Sequence, residues 1–172
     1  QIHLSEQQEL PPSGISCPVA TRGGYCVAGE FYPDTFEAYQ YATAFGLPVI
    51  SPAGNGGLNM DTTTYPAGSP DLSREDSGAI MVGSSTGATH QKKAESNCGR
   101  RVDLYSWGQG VVTTSYPGGG LDWAGGGNPN TGGDNAYFTN QFGGTSSAAA
   151  IIAGTVSLLH SHAKASMGIH KY

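Results

Sequence analysis

Residues 141–154 read QFGGTSSAAAIIAG. Gly143, Gly144 and Thr145 make a tight turn, two serines follow, and a run of small and branched apolar residues extends from Ala148 to Ala153. Glycine supplies backbone conformations closed to other residues, and an apolar run behind such a turn reads as a buried helix. The pattern predicts a helix over about residues 146–163, apolar almost all round through Ala153, with Ser146 exposed at its start. The first helical turn carries unpaired N–H groups and the positive end of the helix dipole. Negative charge developing on a carbonyl oxygen bound there is stabilised, which makes Ser146 a candidate nucleophile. Without a second motif, a serine in this position is usually a helix cap.

The second motif lies upstream. LPVIS at 47–51 is apolar on both faces, the pattern of a central parallel strand, and it empties into PAGNGG at 52–57. The amide of Asn55 on that turn can donate a hydrogen bond to a carbonyl oxygen. One such donor contributes about 3–4 kcal/mol of transition-state stabilisation. Alone, an asparagine among glycines is an ordinary turn residue.

Other elements follow from periodicity. Apolar residues at 36, 39, 42 and 45 predict a helix over 34–45. Asp34 and Glu37 form a capping box at its start and Gly46 is its stop signal. IHLSEQ (2–7), SGAIMVGSS (77–85), RVDLYSWG (101–108) and GVVTTSY (110–116, in a hairpin) read as strands. The glycine-rich stretch 117–135 reads as a surface excursion, and NAYFTNQFGGT (135–145) as a connection into the last helix. Strands alternating with helices give an α/β fold with a parallel sheet, and residues 1–172 read as a single domain.

Composition excludes several classes. Charged residues are 12% of the chain, too few for a disordered tail or a coiled coil. The net charge is −5, and QKKAESNCGRR (91–101) is the one basic cluster, read as a solvated loop. No basic stripe exists for nucleic acid, and no apolar run is long enough for a membrane span. The chain opens on Gln1 rather than Met and shows no signal peptide, so a processed or cropped chain is expected. Few lysines and much Gly, Ser, Thr and Asn suit a secreted protein. Cys17 and Cys26 bracket a short flexible loop and are expected to form a disulfide. Cys98 is then left over, as a buried free thiol or a bond to another chain.

The two motifs together resemble the subtilisin-like serine proteases (subtilases). The matching residues are Gly144, Thr145 and Ser146 with the Ala-rich helix through Gly154, and Ala53, Gly54, Asn55 and Gly56 after a hydrophobic strand. GAIMVGSS (78–85) and NCGRRVDLYSWGQGVVTT (97–114) resemble the family's intervening segments, in the same order. Ala150 stands where the family usually has proline. The resemblance implies a serine endopeptidase with Ser146 as nucleophile and Asn55 as oxyanion donor, partnered by the Ser146 backbone N–H. Ser51, Ala53 and Gly54 would wall the pocket for the residue before the scissile bond. Ser5, within the Leu4–Glu6 segment, would flank a peptide or protein substrate as an extended strand. The implied fold is the C-terminal half of the family's three-layer domain. No cofactor is expected, and calcium enters through the family alone, because DTTTY (61–65) and GGD (132–134) lack a metal-ligand spacing.

The family's aspartate and histidine motifs do not occur in these 172 residues. Asp103 matches a structural family position. His160 and His162 fall on the helix of Ser146, about 21–24 Å along it at 1.5 Å per residue. His170 is in the tail, and His90 reads as a surface residue. His3 precedes the substrate-flanking segment and reads as a packing residue or, less simply, as an unconventional base. The expectation is therefore that aspartate and histidine arrive on a missing N-terminal segment of the same precursor or on a partner chain. An exposed strand edge at IHLSEQ would seat that fragment or a second copy of the chain. The alternative is a catalytically inactive binding or structural protein built on the same half-fold.

Overall fold

The computed structural model describes residues 27–61, 76–114 and 138–168. A 3₁₀ turn at Gly29–Phe31 leads into helix α1 (Pro33–Ala44). Strands β1 (Ile50–Pro52), β2 (Ile80–Ser85), β3 (Leu104–Trp107), β4 (Val111–Thr114) and β5 (Phe138–Phe142) follow, and helix α2 (Gly144–Met167) closes the order. Strands β1, β2 and β3 form a parallel sheet in that order, while β4 and β5 pair antiparallel. The α/β class read from the sequence is the observed one. Among the described residues β2 is the central strand, whereas the apolar pattern of LPVIS assigns that place to β1.

Side-chain alternation divides the sheet. Ile50 and Val82 pack with Ala148, Ala149 and Ala153 of α2, flanked by Ile80, Leu104, Ile152 and Val156. On the other face, Met81 and Ala53 join Val27, Ala28 and Met60. Val49 and Ala79 pack against Tyr39 of α1 there. Successive strand residues point to opposite faces, so one register serves both layers. That register sets Ile50 beside Ile80 and Val82 beside Leu104.

Helix α1 begins two residues earlier than the capping-box pattern predicts. Tyr32 is its N-cap and Pro33 its first residue, with no side-chain cap bond. Proline has its φ pre-set for a first helical turn and has no N–H to leave unpaired, so it displaces Asp34 from the cap. Asp34 instead accepts from the N–H of Thr35 at 2.9 Å. The stop is as predicted: Gly46 takes φ +79°. Its N–H reaches Thr43 O at 2.8 Å and the Leu47 N–H reaches Ala42 O at 3.1 Å, the two bonds of a Schellman ending. Phe45, predicted on the inner face, is 61% exposed.

Helix α2 is longer than predicted and is buried on one face. Thr145, Ala148, Ala149 and Ala153 are buried, and Ile152 and Val156 are half-buried. These positions share one helical stripe, while Ala150, Gly154 and Leu158 on the other side are exposed. The stripe is alanine-rich because its small side chains bring the helix axis close to the sheet. GVVTTSY, expected in a hairpin, supplies β4, which pairs antiparallel with β5, a strand in the stretch read as a connection; the segment between the two lies outside the described residues. IHLSEQ with Ser5 and His3, the Cys17–Cys26 pair, the 117–135 excursion and His170 lie outside the described residues. Cys98 is a free, half-buried thiol.

The basic cluster is not wholly solvated. Arg101 is buried and forms an ion pair with the fully buried Glu30. It also binds Asp103 at 2.9 Å and Asp76 at 3.2 Å. Its guanidinium donates to Ala79 O at 2.8 Å, and Ser77 Oγ donates to Glu30. Burial works against the Arg101 charge. The hydrogen bond and charge of Glu30, with Asp76 and Asp103, outweigh it and raise the pKa above the ordinary arginine value. Lys93 is half-buried, 2.5 Å from Glu95 and 3.1 Å from Gly108 O.

Candidate active site

Strand β1 ends in the turn that carries Asn55, and α2 begins beside it. The Thr145 N–H donates to Asn55 Oδ1 at 2.9 Å, and the Thr145 hydroxyl donates to the same oxygen at 3.2 Å. Gly54 N–H closes the contact on Thr145 Oγ1 at 3.2 Å. Two donors on one amide atom identify it as the oxygen, which makes Nδ2 the donor end of Asn55. The two motifs, 90 residues apart in sequence, thus meet.

Gly144 makes that approach possible. Its φ is +77°, and a Cβ there would stand 2.9 Å from Asn55 Oδ1 and 3.3 Å from Nδ2. A side chain would be strained by the backbone and would also push Asn55 away. On the far side, Gly144 N–H donates to Gly108 O at 2.8 Å, which fixes the start of α2 to the end of β3.

The two serines have different surroundings. Ser147 is fully buried, and its hydroxyl donates to Gly144 O at 3.0 Å and Trp107 O at 3.2 Å. Ser146 is partly exposed, in the first turn of α2, one residue beyond the Thr145 that grips Asn55. Among the described residues nothing hydrogen-bonds the Ser146 hydroxyl. Its neighbourhood offers a helix N-terminus and an oriented amide, the two features that stabilise an oxyanion.

No protein-family model matches the chain, and no curated protein is similar to it in sequence.

The other predicted site residues sit behind the turn. Ser51 is fully buried, 3.3 Å from the hydroxyl of Tyr39. Burial pushes the Tyr39 phenol up from its ordinary pKa; the Ser51 hydrogen bond opposes this, and the charge of Glu30 adds to it. Ala53 is fully buried and Gly54 is buried with it. His160 and His162 are exposed on the same unbroken helix as Ser146, and His90 is exposed with φ +53°. Asp103 accepts from Met81 N–H at 2.7 Å and from Arg101, a structural placement. Among the described residues no group of three acidic, His or Cys side chains could hold a metal ion.

Asn97 is the residue that sequence reasoning missed. It is fully buried. Its Oδ1 accepts from Gly56 N–H at 3.0 Å and Leu58 N–H at 2.9 Å. Its Nδ2 donates to Ala53 O at 2.7 Å, and its backbone N–H to Gly54 O at 2.9 Å. Ser96 Oγ accepts from Ser84 N–H at 2.9 Å and ties this loop to β2. The available signal was the Ser96–Asn97 pair just before Gly99. A glycine-rich turn cannot satisfy its buried backbone groups with its own side chains, so an amide from elsewhere has to.

Proposed function

We propose that this chain is the serine-bearing part of a subtilisin-type endopeptidase. The observation that carries the reading is the pair of hydrogen bonds from Thr145 to Asn55 Oδ1, which orient the Asn55 amide beside the helix turn of Ser146. Ser146 Oγ attacks the carbonyl carbon of the scissile peptide bond and passes its proton to a histidine. The negative charge that develops on the carbonyl oxygen is taken by Asn55 Nδ2 and the Ser146 N–H. The amine leaves with the proton, and water then releases the acyl group from Ser146. The histidine and its aspartate come from outside these 172 residues, on a preceding segment or a companion chain. Ala53 and Gly54 lead into Asn55 on its turn, and the resemblance alone assigns Ser5 to flanking the substrate. A secreted setting, with a Cys17–Cys26 disulfide, is part of this reading.

The test is hydrolysis of a denatured protein substrate by the protein together with its copurifying chains. Ser146→Ala should abolish turnover. Asn55→Ala should lower kcat about 10²–10³-fold with KM little changed. Loss of turnover in neither variant would refute the assignment. A second reading rests on the absence of any hydrogen bond to Ser146 from the described histidines: an inactive scaffold that binds a partner. In that case Ser146→Ala leaves the biological effect of the protein intact.

A further inference from the structure

We propose that Asn97 is a positioning residue for the oxyanion donor, acting through Asn55. This rests on the serine-peptidase reading above. The side chain and backbone of Asn97 bind residues 53, 54, 56 and 58, one bond to each. These bonds fall on both sides of Asn55. A carboxamide meets this demand with one side chain, because its oxygen accepts twice while its nitrogen donates. Thr145 fixes the Asn55 amide from the side of α2, and Asn97 fixes the backbone beneath it. An oxyanion donor acts only where its N–H is aimed in advance, and a displacement of about 1 Å can cost about 10²-fold in rate. The glycines around Asn55 cannot supply that rigidity. Gly57, with φ +63°, sits in a backbone region favourable to glycine, and both flanks of Asn55 are glycine. The turn is therefore held by what grips it rather than by its own stiffness.

The role is separable from simple support of the fold. A fluorophosphonate probe phosphonylates an activated serine, and its phosphoryl oxygen occupies the place of the oxyanion. The labelling amplitude counts intact sites, while the rate per site reports donor geometry. The intact protein with its copurifying chains is compared as wild type, Asn97→Ala, Asn55→Ala and the double variant. Asn97→Ala is expected to label at Ser146 about 10-fold to 10²-fold more slowly per site. The double variant is expected to label at the rate of Asn55→Ala within about twofold, since a residue acting through Asn55 has nothing left to aim. Asn97→Asp keeps the acceptor oxygens and loses the donor to Ala53 O; should Asn97→Ala not fold, it carries the same comparison. A lowered amplitude at an unchanged rate, or full additivity in the double variant, overturns the proposal and leaves the serine-peptidase reading standing. Wild-type protein that fails to label overturns that reading, and the proposal with it.

Discussion

The residue that decides the site is Gly144. Its position is set twice, by a φ of +77° and by the 2.9 Å that would separate a Cβ from Asn55 Oδ1. Gly144→Ala is expected to destabilise the protein by about 1–3 kcal/mol, measured by urea denaturation, because a non-glycine residue is strained there. It should also displace the Asn55 amide, so turnover should fall further than the lost stability explains. Ser146, Asn55 and Gly144 were legible in sequence because chemistry and turn geometry restrict each to few residue types. Asn97 was not. No periodicity marks it, and the groups it satisfies lie about 40 residues upstream, on a turn whose need for partners appears only in three dimensions. Ser51 was legible as part of the same strand but not for its burial against Tyr39.

At the scale of elements, periodicity located helices and strands and misjudged their ends and faces. Proline at the first position of α1 displaced the predicted cap. Asp34→Ala is therefore expected to cost less than about 0.5 kcal/mol, the range of ordinary surface changes, where loss of a true cap costs about 1 kcal/mol. Thermal unfolding distinguishes the two. The predicted all-round burial of α2 failed because Ala150 and Gly154 are small enough to face solvent without betraying it in composition. The stripe against the sheet is real, and it is tight. Ala149, fully buried against Ile50 and Val82, leaves no room for growth. Ala149→Leu should cost about 1–3 kcal/mol through overpacking, read from the midpoint of chemical denaturation. Strand β5 escaped detection because only its pairing with β4 makes FTNQF a strand.

At the scale of the molecule, the layers are joined by a buried ion network that composition concealed inside an apparently solvated basic cluster. Glu30, from the 3₁₀ turn, meets Arg101 at the approach to β3, and Ser77 and Ala79 before β2 bind the same pair. Removing one partner strands the other charge in the interior. Glu30→Ala is expected to cost about 3–5 kcal/mol, seen as a fall in the urea midpoint. Tyr39 supplies a pH signature. Its pKa is raised on folding, so the folded state holds its proton more tightly than the unfolded state. That contribution to stability is intact below the ordinary tyrosine value near 10 and is lost as pH rises beyond it. Tyr39→Phe should flatten the alkaline limb of a Tm-against-pH profile. The α/β class was legible from strand–helix alternation, and the proposed subtilisin-type reading rests on motif order together with the meeting of Asn55 and the Ser146 turn. Its most direct test is peptide mapping after fluorophosphonate treatment of the protein purified with every chain that accompanies it. The account predicts a single phosphonyl adduct on Ser146, formed about 10²–10³-fold more slowly in Asn55→Ala. An adduct on another residue, or none on Ser146 with all accompanying chains present, would contradict it.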